Sequence, residues 1–515
     1  AEPRALDRHV PLANVIRIDL CVVFRAGAVT SATKAGGMGA TSSTSSRLVS
    51  TAAATRARSV AHCAPGRVSL APSVARGGVR RSISTSMAAM ASGVDYASYL
   101  TRVAAARRPS PIRALMPLLQ IEGMVSLGGG LPNPALFPFR GISFTLADGT
   151  VLELPDAAVN EALQYSPTPG LPGLVRRLTN IIASEHAPPG AAGAKLSVAV
   201  STGSQESLSR AFEMLVGEAG RSLLVESPTY SGALSCLQPM ECKLVGVATD
   251  GGGLDPADLR RILETWDEAA DGPKPRVLYT IPTGSNPTGA TMSVERRREV
   301  YALACAHDLI ILEDDPYYFL QFGDRRDTPS LLSMDVEGRV LRFDSFSKVL
   351  SSGLRIGTVS GPAPLVERIN LHTQASNLHA SGVSQAAAEA LLKHWGAGDS
   401  VEAGLGEMEA HVGKVAAFYE AQCDAFTDAI DRHLGGRVEY TRPTAGMFVW
   451  MRLPGVDDTD ELIKTRAVAA KVLMVPGSAF LPHGGPSSFV RAAFSTVTPA
   501  QMDEALSRVA KLLEA

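Results

Sequence analysis

No stretch of the 515-residue chain approaches the ~18 consecutive apolar residues that a membrane-crossing helix needs; the run Leu20 to Phe24 is closed at once by Asp19 and Arg25. A membrane-embedded protein is therefore not expected. The six cysteines, Cys21, Cys63, Cys236, Cys242, Cys305 and Cys423, show no Cys-x-x-Cys spacing, so neither a zinc site nor a redox pair is suggested. They read as small hydrophobes in a reducing compartment. The histidines are scattered as well, and no metal is expected. No internal repeat is visible. Charged residues at 19% and hydrophobic ones at 45% describe a soluble globular protein with an ample core.

Acidic side chains are missing altogether from Met38 to Gly93, where Arg47, Arg56, Arg58, Arg67, Arg76, Arg80 and Arg81 stand among Ser, Thr and Ala. That is the composition of an organellar transit peptide. Residues 1–93 are expected to be a leader, with Met38 a candidate start. Arg80-Arg81-Ser82 favours a mitochondrial over a plastid destination, with a cytoplasmic one the further alternative; a basic tail that binds a partner is the competing reading. These 93 residues hold eleven Arg and Lys34 against Glu2, Asp7 and Asp19, a surplus of nine positive charges. The rest of a chain of net charge -2 therefore carries a deficit of eleven. An acidic body argues against non-specific nucleic-acid binding.

From Tyr96 the composition is that of a folded protein. Short apolar runs at Lys195 to Val200, Ser222 to Glu226, Lys243 to Ala248, Arg276 to Ile281 and Leu309 to Glu313 alternate with helical patterns such as Val294 to His307. This order predicts an α/β fold with a mainly parallel, covered sheet. After Trp395 the pattern turns helical, with a long helix expected over Glu402 to Leu434. Strands follow at Arg437 to Tyr440 and Gly446 to Met451, and suggest a smaller α+β domain.

The chemistry is expected where Val340 to Phe343, read as a strand, runs into Asp344-Ser345-Phe346-Ser347-Lys348 and on to Gly353-Leu354-Arg355. Ligands bind just past strand ends in such sheets. An amine, two hydroxyls and a cation within one short segment suit an aldehyde cofactor that carries a phosphate. The Lys348 amine forms a Schiff base only when neutral, which burial or a neighbouring cation favours, while Ser345, Ser347 and Arg355 can hold the phosphate. Further back, a strand, Gly203 and a helix start at Ser204-Gln205 make a second anion site at the helix's positive end.

Ser345 to Gly357 resembles the cofactor-lysine segment of the fold-type I aminotransferases that use pyridoxal phosphate, above all the kynurenine/2-aminoadipate aminotransferase group. The resemblance runs from about Tyr96 to the C-terminus. It implies a large domain with a seven-stranded, mainly parallel sheet covered by helices over residues 131–375, after an N-terminal arm over 94–130, and a small C-terminal α+β domain over 376–515. By the same resemblance, Asp314 in Glu313-Asp314-Asp315-Pro316-Tyr317 partners the ring nitrogen and Tyr317 the ring oxygen. Asn286 in Ser285-Asn286-Pro287-Thr288-Gly289 donates to that oxygen, and Tyr230 in Glu226-Ser227-Pro228-Thr229-Tyr230 stacks on the ring. Arg491 clamps the substrate α-carboxylate. Ser110 to Arg113 and Ser126 to Pro134 resemble the N-terminal segment and its substrate-facing glycine loop, which assigns Arg113 and Gly130 to the substrate. Tyr165 resembles the tyrosine that reaches the partner subunit's cofactor phosphate, which implies a homodimer.

The implied activity is transfer of an amino group from 2-aminoadipate, kynurenine, an aromatic or branched-chain amino acid or methionine to 2-oxoglutarate, by a ping-pong Schiff-base mechanism. A pyridoxal-phosphate-dependent lyase on the same scaffold is the alternative. A transcription regulator with an aminotransferase-like domain is disfavoured, because residues 38–93 lack the apolar periodicity of a winged helix.

Overall fold

The computed structural model describes residues 93–112, 115, 118, 121–125, 127, 128, 130–189 and 195–514. After a small hairpin of β1 (Ser143–Thr145) and β2 (Val151–Glu153), the chain builds an eight-stranded sheet from β3 (Leu196–Thr202), β4 (Ser222–Ser227), β5 (Lys243–Asp250), β6 (Gly253–Leu254), β7 (Val277–Thr280), β8 (Ile310–Asp314), β9 (Val340–Ser345) and β10 (Ile356–Pro362). The spatial order is β3-β10-β9-β8-β7-β4-β5-β6. The pairs β9-β8, β8-β7, β7-β4 and β4-β5 are parallel, whereas β10 runs against both its neighbours and β6 against β5. The sheet thus has one strand more than the seven expected. Two residues folded back after a turn carry no periodicity that a sequence reading can detect.

Successive side chains of a strand point to opposite faces, and here both faces are covered. Leu223, Val225, Leu312 and Phe343 pack with the helices Ser204–Val216 and Ala363–Ser376. On the other side Leu224, Leu278, Ile311 and Val340 pack with Pro172–His186, Pro256–Thr265 and Val294–Ala306. Burial on both faces explains why these strands read as near-continuous apolar runs.

A second sheet, all antiparallel, has the order β11 (Glu439–Tyr440), β12 (Phe448–Arg452), β14 (Phe489–Ala493), β13 (Val475–Pro476). The long helix beside it spans Met408–Leu434 and packs on Pro499–Leu512. It starts six residues later than the apolar pattern suggests. Gly404 and Gly406 stand just ahead of it at φ +53° and +52°, left-handed backbone that glycine adopts freely and that a helix cannot include. Among the described residues, no helix is long and apolar enough to cross a membrane, and no group of three or more His, Cys, Asp or Glu is placed to hold a metal ion.

Candidate active site

Because β3, β4, β7, β8 and β9 point the same way, their carboxyl ends lie on one edge of the sheet, and the reversed β10 begins there. Its register pairs Ile356 with Thr202 and Gly357 with Ser345. Arg355, in left-handed backbone at φ +53°, is thereby delivered beside both the β9 end and the start of the helix Ser204–Val216. The fit is tight at Gly203: a β-carbon there would collide with Arg355 Nη2, and φ is +72°. The helix has no side-chain cap, so its first N–H groups are left for another acceptor.

Ten of the expected residues line one cavity of about 230 Å³: Ser204, Gln205, Tyr230, Asn286, Asp314, Tyr317, Ser345, Ser347, Lys348 and Arg355. Arg491 stands one hydrogen bond away, its Nη1 donating to Asn286 Oδ1 at 2.8 Å. The guanidinium lies over the rings of Phe448 and Phe480, 4.4 and 5.0 Å from their centroids, a cation–π setting that holds it without neutralising it. Tyr165 is 48% exposed, packs its ring edge-on to His379, and does not line the cavity. Gly130 is exposed, with nothing within 4 Å of a β-carbon built on it. Arg113 lies outside the described residues. Ile281, Pro316, Ser352 and Phe448 complete the wall; of these, Ile281 and Phe448 carried no signal beyond strand periodicity. A larger cavity of about 590 Å³ lies between Thr249–Gly251 and the stacked rings of Trp450 and Phe489. No lysine, arginine or histidine lines it, so it offers neither an amine nor a cation for a carboxylate.

The electrostatics follow from burial. Lys348 is half-buried, and burial first, then the Arg355 charge, holds its amine below the usual lysine range. Asp314 is buried and pushed up to about 7; the hydrogen bond from Tyr279 opposes that rise, while Asp315, Asp344 and Glu226 add to it. Its Oδ2 accepts from the Tyr279 hydroxyl at 2.8 Å, but Oδ1 is buried with no partner among the described residues. Such an oxygen needs a donor, and a protonated pyridine nitrogen is one. With the uncapped helix start and Arg355 for a phosphate, the residues present fit pyridoxal phosphate. Tyr317 is raised by burial and by Asp314, so its phenol remains a proton donor.

Two buried supports carried no sequence signal. Glu226 accepts from Thr280 Oγ1 at 2.5 Å, Ile281 N at 2.9 Å and Ser285 Oγ at 3.2 Å, which ties the β4 end to the loop that bears Asn286. Arg342, fully buried, pairs with Asp344 at 2.7 Å, Asp315 at 2.9 Å and Glu313 at 3.2 Å, and so joins the ends of β8 and β9.

One consequence concerns Lys348 itself. In Arg355→Ala the amine loses a repelling cation, so its pKa rises and a higher pH is needed to make it neutral. The rate at which an acylating reagent modifies Lys348 in the cofactor-free protein, followed by peptide mass spectrometry against pH, will shift to higher pH. An unmoved curve would leave burial as the only cause.

With this geometry in hand, the chain can be set beside known proteins. The pattern of the family described as aminotransferase class I and II matches residues 147–509. The mouse mitochondrial kynurenine/alpha-aminoadipate aminotransferase is 41% identical over 432 residues, covering 82% of this chain and 99% of its own. Among solved structures, the aminotransferase Aro8 of Candida albicans superposes with a TM-score of 0.72 at 29% identity, covering 82% of this chain and 98% of that one. The kynurenine aminotransferase of Pyrococcus horikoshii gives 0.63 at 27%, with the same coverage.

Proposed function

The chain belongs to the class I and II aminotransferases, and from that membership we propose that it moves the amino group of kynurenine and of 2-aminoadipate to 2-oxoglutarate, as a homodimer in mitochondria. It is a pyridoxal-phosphate-dependent transferase acting on amino acids and 2-oxo acids. The observation that supports amino transfer by these residues is the convergence of Lys348, Asp314, Tyr317 and Asn286 on one cavity with Arg491 behind it.

Pyridoxal phosphate supplies, when bound, an aldehyde that reacts with amines and a ring that draws electrons from the substrate α-carbon. The chain's own residues do the rest. Lys348, its amine pKa lowered by burial and by Arg355, would take the proton from the substrate α-carbon and give it to the carbon that the cofactor's aldehyde contributes. Asp314 holds the ring nitrogen in its charged form, and Tyr317 and Asn286 donate to the ring oxygen. The backbone at Ser204 and Gln205, with Ser345, Ser347 and Arg355, grips the phosphate, and Tyr230 packs against the ring. Arg491 orients the α-carboxylate, its planar fork matching two oxygens.

Gly130 and Arg113 bring the N-terminal arm to the substrate, and Tyr165 serves a partner subunit. In support, Ile112, Leu127, Leu136 and Phe139 are 60%, 98%, 82% and 62% exposed, apolar side chains that a partner subunit would cover. The names of the mammalian relatives support both the donors and the organelle. A screen of kynurenine, 2-aminoadipate, tyrosine, leucine and methionine with 2-oxoglutarate as acceptor tests the proposal. Preference for any donor other than the first two would overturn the substrate assignment. Import of the labelled chain into isolated mitochondria, with cleavage near residue 93, tests the address.

Asp314→Asn keeps the shape but loses the charge. The turnover rate will fall about 10- to 100-fold, the worth of a charge-assisted hydrogen bond. A rate within threefold of the parent would remove Asp314 from this role.

A further inference from the structure

Tyr279 sits in the middle of β7, with no exposed surface, in a core of Phe212, Leu312 and Phe343. Its ring meets Phe212 edge-on at 5.3 Å. Phenylalanine would fill this space equally well, and a hydroxyl taken into such a core costs free energy unless it is bonded. The hydroxyl makes one hydrogen bond among the described residues, to Asp314 Oδ2. The ladder accounts for it: Tyr279 pairs with Leu312, so Asp314, two residues on, projects to the same face of the neighbouring parallel strand.

We infer that Tyr279 is a positioning residue for the cofactor's ring nitrogen: by donating to Oδ2 it fixes the Asp314 side chain and leaves Oδ1 as the oxygen available at the cavity wall. The inference rests on the reading that Asp314 partners that nitrogen. Burial keeps the Tyr279 phenol protonated, well above its ordinary range, so it donates at every working pH. Without it, the carboxylate is free to turn, and the neighbouring Asp315, Asp344 and Glu226 disfavour its charge.

The test uses the holoenzyme loaded with cofactor labelled with nitrogen-15 in the ring, whose chemical shift reports protonation at that atom. In Tyr279→Phe the resonance will move toward the unprotonated position and the cofactor's dissociation constant will rise roughly tenfold. The kcat will fall while KM for the amino donor stays nearly constant. A resonance and a dissociation constant both within error of the parent would overturn the inference. Asp314→Asn, measured alongside, separates the two levels. If it moves the resonance and Tyr279→Phe does not, only the inference on Tyr279 fails; if it leaves the resonance unmoved, the reading of Asp314 fails and takes the inference with it. Should the phenylalanine variant not fold, Tyr279→Met fills much of the space with a flexible apolar side chain and likewise lacks the donor. The same move of the resonance is then expected, and a resonance at the parent position would overturn the inference.

Discussion

Lys348→Ala will lose amino transfer by about 10²- to 10⁴-fold, the range removed with a positioned acid–base group, and will lose the visible absorption of the parent holoenzyme. The fold will persist. Lys348 lies on the turn after β9 and lines the cavity, and it makes no hydrogen bond or ion pair among the described residues, so its removal leaves no buried partner unsatisfied. The only side chain lost is a half-buried stem. Steady-state rates with kynurenine, a thermal melt and the absorption spectrum check the three parts together. A rate within tenfold of the parent, or an unchanged spectrum, would mean that another amine does the work.

Arg491 should show a different signature, a loss spread evenly over substrates. Every candidate donor and acceptor shares an α-carboxylate and differs in its side chain. Removing one partner of a desolvated charge pair costs roughly 2 to 5 kcal/mol, or about 30- to several-thousand-fold in kcat/KM. Arg491→Ala is expected in that range for 2-aminoadipate, kynurenine and leucine alike. It also strips Asn286 Oδ1 of its donor and Phe448 and Phe480 of the cation between them, so some loss of stability will accompany it. Arg491→Lys will recover only part, because an ammonium lacks the planar fork. A loss confined to 2-aminoadipate would show that Arg491 reads the side-chain carboxylate instead.

What could be read in advance follows a physical division. Residues that face a ligand sit at strand ends, in short segments where hydroxyls, glycines and charges cluster against the local pattern. Lys348, Arg355, Asn286 and Asp314 are of this kind, and they meet in one cavity. Residues that hold these from behind belong to apolar strands, and they act across the fold: Tyr279 reaches Asp314 over 35 positions and Glu226 reaches Ser285 over 59. In one sequence Tyr279 is simply part of the apolar run Val277–Thr280, and nothing local distinguishes it. The two-residue β6 is too short to carry a pattern, and the helix that opens at Met408 is shorter than its apolar pattern because that pattern does not reveal a left-handed glycine. Tyr165 and Gly130 form a third class. Their sequence contexts are distinctive, yet one subunit gives them no ligand-facing contact.

The reversed strand β10 has one more effect. Lys348 and Arg355 both belong to the connection that joins β9 to β10, Lys348 three residues past the end of β9 and Arg355 directly before β10, over a ladder that pairs Gly357 with Ser345 and Ser360 with Arg342. The distance between the amine and the guanidinium therefore depends on the length of that connection and on the ladder that closes it. Altering that spacing requires inserting or deleting a residue in the connection, a larger change than a point substitution.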